Sequence, residues 1–234
     1  ARAEPTVPAP TVPTAVIELD GLALIAWSTT LFLVFAIMGG TAASTLKARF
    51  GARKALVGAA LVFLAGSLLA TIAGSMTELL AGRALQGLGE GVVAAICYAL
   101  IPELFPSRLV PKVFGTESVV WAMAAFIGPA LGGLLTETVS WRAAFAANLP
   151  MGAIFVALTI LVVPRGAPSP ALAVRLPLVR LAMIGLAIII VSIASLLQNP
   201  FLIGLCLVTS GVMLALIVLR DANARTRLFP TAAF

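Results

Sequence analysis

Charge is what this sequence has least of: Asp, Glu, Lys and Arg make up 10% of its 234 residues, where a soluble domain carries about 25%. Histidine is absent altogether, which removes the commonest metal ligand and the one side chain that titrates unperturbed near neutral pH. Cysteine is limited to Cys97 and Cys206, each inside an apolar run; a disulfide framework and a thiolate metal site are thereby set aside. The 15 Lys and Arg outnumber the 9 acids and give a net charge of +6. They are still too few for a nucleic-acid surface, and they fall in short clusters between apolar runs instead of along one face. The sequence offers no nucleophile–base pair, phosphate loop or metal-ligand cluster, so neither an enzyme nor a cofactor or metal centre is expected.

What fills the chain is hydrocarbon: 61% hydrophobic residues and a mean hydropathy of +1.13. No soluble core of this length could hide so much apolar surface, and the reading is an all-α polytopic protein of the lipid bilayer. A spanning helix needs about 20 apolar residues, because roughly 30 Å of hydrocarbon is crossed at about 1.5 Å per residue. Seven such runs are expected, at about 22–44, 55–72, 78–99 with a tail to 105, 113–135, 144–163, 178–197 and 201–219.

The basic residues orient these spans. Lys47, Arg49, Arg53 and Lys54 share one connection; Arg108 and Lys112 lie in the next on that side, followed by Arg165, Arg175 and Arg180, then Arg220, Arg225 and Arg227. The opposite connections hold Glu18 and Asp20, Glu78, Glu137 with Arg142, and Gln198-Asn199-Pro200. Leaving out Arg2 and the intramembrane Arg83, twelve basic residues face one. By the positive-inside rule the basic side is cytoplasmic, and Phe234 lies on it. High Ala, Gly and Arg usage points to a bacterial inner membrane. Residues 1–13 contain Pro5, Pro8, Pro10 and Pro13, a spacing that breaks an ordinary helix. They read either as an extended linker or as the end of a truncated helix.

Three ionisable residues fall inside spans, where each costs about 2.5–3.5 kcal/mol on insertion scales. Arg83 lies about two turns into its helix from the outer side, and Glu90 is seven residues further. Seven steps of about 100° return to within about 20° of the same direction, so Arg83, Gln86, Gly87 and Glu90 form one polar and small stripe. The rise between Arg83 and Glu90 is about 10 Å, too far for a simple ion pair. Glu117 belongs to the next span, with Trp121, Ala124 and Gly128 following on its face. These residues are either neutralised packing groups or the lining of a hydrated cavity whose carboxylates carry protons or bind cations. Gly128 and Gly132 form a small-xxx-small pair around Pro129, and Gly87-Leu88-Gly89-Glu90-Gly91 repeats the theme in the preceding span. They serve plain helix packing or a kinked contact at a moving interface.

Four stretches, in this order, resemble the major facilitator superfamily, specifically its fourteen-helix drug:proton antiporter branch. Arg49-Phe50-Gly51-Ala52-Arg53-Lys54 resembles the second half of the family's gating loop between helices two and three. Arg83-Ala84-Leu85-Gln86-Gly87-Leu88-Gly89 resembles the helix-four motif, whose arginine the family associates with proton coupling. Gly128-Pro129-Ala130-Leu131-Gly132-Gly133 resembles the helix-five antiporter motif, and the run from Trp141 and Arg142 through Asn148 and Pro150 to Gly152 resembles the start of helix six. On this alignment the chain divides into a Pro-rich segment at 1–20, a bundle of helices two to six at 21–164, and two extra linker helices at 165–234. Glu4 then matches the acid of a helix-one motif.

Some positions depart from the family pattern. Ser44 and Ala48 stand where the loop motif has Gly and Asp, which implies altered gating, Ala124 replaces the first Gly of the helix-five motif, and Glu90 replaces a small residue. The resemblance implies proton-coupled export of hydrophobic, cationic compounds, with Arg83, Glu90, Glu117 and Glu4 handling protons or substrate. It also implies a second six-helix bundle, from a longer protein or another chain, since substrate binds between two bundles. The same fold moving a lipid or an anionic metabolite anchored on Arg83, or a degenerate transporter serving as a structural or regulatory membrane subunit, are the alternatives.

Overall fold

The computed structural model describes residues 24–165, 178–194 and 199–222, together with Ala15, Glu18, Leu19 and Leu197. Glu4, the prolines of residues 1–13, Arg175, Arg225, Arg227 and Phe234 lie outside the described residues.

Every regular element among the described residues is helical. They run α1 (Ile25–Phe50), α2 (Ala52–Ile72), α3 (Met76–Leu104), α4 (Val110–Thr138), α5 (Trp141–Ala146), α6 (Asn148–Val162), α7 (Leu178–Ala194) and α8 (Pro200–Ala222). Five stretches are long and apolar enough to cross a membrane: Trp27–Phe50, Ala52–Ile72, Met76–Leu104, Val110–Thr138, and α5 with α6 as Trp141–Val162. Helices also form at the two runs expected after these, 17 residues in α7 and 23 in α8.

The helices outrun the apolar runs that announce them, because backbone hydrogen bonding does not stop at the edge of the hydrocarbon. α1 continues past Ser44 through Lys47 and Arg49, both in its last turn, where cations suit the negative end of the helix dipole. It ends at Gly51, whose φ of 80° is the left-handed conformation that glycine takes without a Cβ penalty. α3 starts at Met76 because Ser75 caps it: Ser75 Oγ accepts from the Glu78 amide at 3.3 Å, and Glu78 Oε2 accepts from the Gly74 amide at 2.8 Å. Ser75 and Glu78 thus take the N-cap and N3 positions, with the Glu78 carboxylate reaching back to the amide just before the cap. The sixth family helix is interrupted at Ala147, and Pro150 just beyond has no amide to give to the turn before it.

α3 is the centre of the bundle, packed between α1 and α2. A Cβ on Gly91 would collide with the Ala36 carbonyl of α1, and one on Gly89 would stand 2.5 Å from the Ala59 carbonyl of α2. Glycine is what lets both neighbours approach so closely. Two apolar clusters hold the ends. One gathers Ala70, Ala73, Met76, Leu79, Trp141 and Phe145 at the end away from the basic loops; the other gathers Ala43, Leu56, Ala59, Val92, Ile96 and Leu100 on the basic side. α7 lies against α1, with Gly185 3.0 Å from Met38 Sδ by its ideal Cβ, and pairs with α8 through Ser210 Oγ, which donates to the Ala187 carbonyl at 2.9 Å. α4 differs from all of these: Gly133 is its one buried residue.

Candidate functional site

The polar stripe of α3 is divided between its neighbours. Arg83 Nη1 donates to Gln86 Oε1 at 2.9 Å, and Gln86 Nε2 donates to Ser67 Oγ of α2 at 2.9 Å. The Arg83 guanidinium also lies 4.1 Å from the centre of the Phe32 ring on α1, a cation–π contact. Gln86 is 1% exposed and Ser67 is fully buried. Three helices are therefore joined around one cation, which retains one unsatisfied buried donor, Nε. Gly87 serves close packing: a Cβ there would strike the Phe32 carbonyl. Ser67 and Phe32 carry no mark in the sequence that separates them from the apolar runs around them.

Glu90 faces a different space. It lines a cavity of about 250 Å³ with Phe63 of α2 and with Asn148, Met151, Gly152 and Phe155 of α6. Its Oε2 is buried and has no hydrogen-bond partner. No ion pair joins Glu90 to Arg83 among the described residues; the two pairs there are Lys47–Glu103 and Arg142–Glu18. Asn148, quoted above only as part of a family motif, thus places a second polar group beside the carboxylate. Glu103 had no role in the sequence reading; its pair with Lys47 ties the basic-side ends of α1 and α3.

Glu117 lies elsewhere. On α4 it accepts from Trp121 Nε1 at 3.3 Å, and its neighbours on α3 are Cys97 and Tyr98. Tyr98 stacks on Phe114 of α4 at 6.0 Å. Cys97 is two turns beyond Glu90, about 10 Å along the axis, and no hydrogen bond links Glu117 with Glu90 or Arg83. Glu90 and Glu117 therefore have different neighbours, Glu90 against α2 and α6 and Glu117 against Trp121 and Tyr98.

The other motif residues divide equally clearly. α4 is continuous through Pro129. Gly133 is buried and Gly132 is half-buried with its carbonyl accepting from Thr136 Oγ1 at 2.7 Å, whereas Gly128 meets open space. In the loop motif, Gly51 makes the turn and the Arg49 guanidinium lies 5.4 Å from the Phe50 ring, while Arg53 and Lys54 open onto a groove beside α6. At the end away from the basic loops, Glu18 accepts from Arg142 Nη1 at 2.6 Å and from Trp141 Nε1 at 2.6 Å, and Arg142 Nη2 reaches the Ala73 carbonyl at 2.8 Å. The bond from Arg142 first, and that from Trp141 second, hold the Glu18 carboxyl below its usual range.

Comparison with known proteins bears on this arrangement as a whole. The family model described as Major Facilitator Superfamily matches residues 6–223. A Mycobacterium tuberculosis protein named "Probable multidrug-efflux transporter" is 30% identical over 229 residues, covering 95% of this chain and 49% of its own length. In Bacillus subtilis, a protein named a multidrug transporter is 29% identical over 151 residues, 64% of this chain and 28% of its own. Another there, "Multidrug resistance protein 3", is 31% identical over 149 residues, 64% of this chain and 29% of its own. The chain spans about half the length of the Mycobacterium relative.

Proposed function

This chain belongs to the major facilitator superfamily, and we propose that it forms one half of a proton-coupled exporter of hydrophobic, cationic compounds in a bacterial inner membrane. The observation that carries the reading is Glu90, whose Oε2 is buried without a partner and which lines a cavity walled by Phe63, Phe155 and Met151. Apolar walls solvate a bare carboxylate poorly, so the group takes either a proton or a cation. Two occupants that exclude each other at one acid are the chemical basis of exchange. Aromatic faces and a thioether favour a lipophilic cation over a hydrated metal ion. The relatives named as multidrug transporters support the export of drug-like compounds.

Arg83 has a positioning role in this scheme. Its bond to Gln86 and its contact with Phe32 hold a fixed positive charge about two turns from Glu90. The cycle is completed by a second bundle, against which the exposed Gly128-Pro129 face of α4 moves.

Proton release on binding tests the scheme. In weakly buffered detergent, the protein in full should release protons when tetraphenylphosphonium is added at a pH where Glu90 is protonated. Glu90→Gln should bind the cation at least about tenfold more weakly, the loss of about 1.4 kcal/mol, and release none. Equal proton release from a folded Glu90→Gln protein would remove Glu90 from the exchange.

A further inference from the structure

A second cavity, of about 650 Å³, opens on the basic side between the start of α2 and the end of α6. Its mouth carries Arg53 and Lys54 from the first turn of α2 and Arg165 from just beyond α6; deeper, Val57, Leu61 and Ile160 form its walls. We propose that this groove binds one anionic phospholipid of the basic-side leaflet, with the phosphate among the three cations and an acyl chain along the apolar walls.

Charge is the first argument. None of Arg53, Lys54 and Arg165 has an ion pair among the described residues, where both ion pairs lie elsewhere. Nor can an acid nearby in sequence serve them: no Asp or Glu occurs between Asp20 and Glu78, or between Glu137 and Asp221. Three uncompensated cations at one mouth call for an anion from outside the bundle. Such basic pockets on the cytoplasmic side of membrane helices suit anionic headgroups.

Helix polarity adds to this. Arg53 and Lys54 sit at the positive end of α2, with no acidic residue in its first turn and no side chain capping its amides. The dipole disfavours cations there and favours an anion. A phosphate at this point offsets both unfavourable features together.

Shape selects a lipid over a free ion. The groove is charged only at its mouth and apolar along its depth, and its volume falls within the range of about 300–1,000 Å³ typical of sites that enclose a small-molecule ligand. Gly58 lies on its floor, and a Cβ added there meets no atom within 4 Å. The space beside Gly58 is therefore open, one and a half turns below the headgroup cations.

Titration of the delipidated full-length protein, read by native mass spectrometry, tests the site. The probes are dioleoyl phosphatidylglycerol, dioleoyl phosphatidylcholine and glycerol 3-phosphate. Each cation near the surface contributes about fivefold, so phosphatidylglycerol should be held about a hundredfold more tightly than phosphatidylcholine. Arg53→Gln, Lys54→Gln and Arg165→Gln combined should erase that preference. Gly58→Leu, which points into open space and should leave the unfolding temperature in detergent unchanged, should weaken phosphatidylglycerol by about tenfold or more. Equal binding of the two lipids by the wild type, a preference that survives in the triple variant, or undiminished binding by Gly58→Leu would each overturn the proposal. Glycerol 3-phosphate bound as tightly as phosphatidylglycerol would make the mouth an ion site and overturn the lipid occupant.

Discussion

Glu18 shows how much of this protein's order depends on a few polar side chains at its edges. One carboxylate accepts from both Arg142 and Trp141, while Arg142 also bonds the Ala73 carbonyl. The residues before α1, the turn between α2 and α3, and the start of α5 are thereby fastened at one point. Because the Glu18 pKa is lowered from its ordinary value of 4.5, its contribution is present above that value. It is lost as pH falls through 4.5 and on through the lowered native value. The difference in unfolding temperature between wild type and Glu18→Gln should accordingly be positive at neutral pH and close towards zero under acid. A difference that grows with acid would contradict the assignment. Glu90 was visible in the sequence as a charge within an apolar run, but its surroundings were not. Phe63 and Phe155 come from helices far apart in the chain, and Ser67, which anchors Gln86, resembles any small residue in an apolar helix.

Among the elements, the contrast is between α3, which touches its neighbours through backbone, and α4, which scarcely touches them. The glycine pattern of both helices was plain from the sequence, and its two readings, packing or a moving contact, could not be told apart there. In the structure the two helices differ in what surrounds these glycines. Gly91 has the Ala36 carbonyl where a Cβ would go, while Gly128 has nothing within 4 Å. Gly91→Ala should therefore destabilise the bundle by about 1–3 kcal/mol through overpacking, measured by thermal unfolding in detergent. Gly128→Ala, where a Cβ meets no atom of this bundle, should cost less than Gly91→Ala. The reverse order would show that α4, not α3, carries the tight packing. Apolar run length also announced the first five spans, since crossing hydrocarbon imposes it. The helix ends were less legible, because α1 runs on through polar sequence to Gly51 and the Ser75 cap starts α3 ahead of its apolar run.

At the scale of the whole molecule, the chain spans about half the length of the Mycobacterium relative it matches over 95% of its own. The proposed exporter is thus a property of the protein in full, with this bundle supplying one wall of the transport path and the exchanging acid. The basic-side groove is independent of that chemistry, and a lipid held there would set how the bundle sits in its leaflet. The central claim is that Glu90 exchanges a proton for a lipophilic cation. Its most direct test is proton flux into proteoliposomes containing the full protein, recorded with a pH-sensitive dye when tetraphenylphosphonium is added under an imposed proton gradient. Cation-dependent flux in the wild type and none in a folded Glu90→Gln protein is the predicted result. Undiminished flux in Glu90→Gln would contradict it.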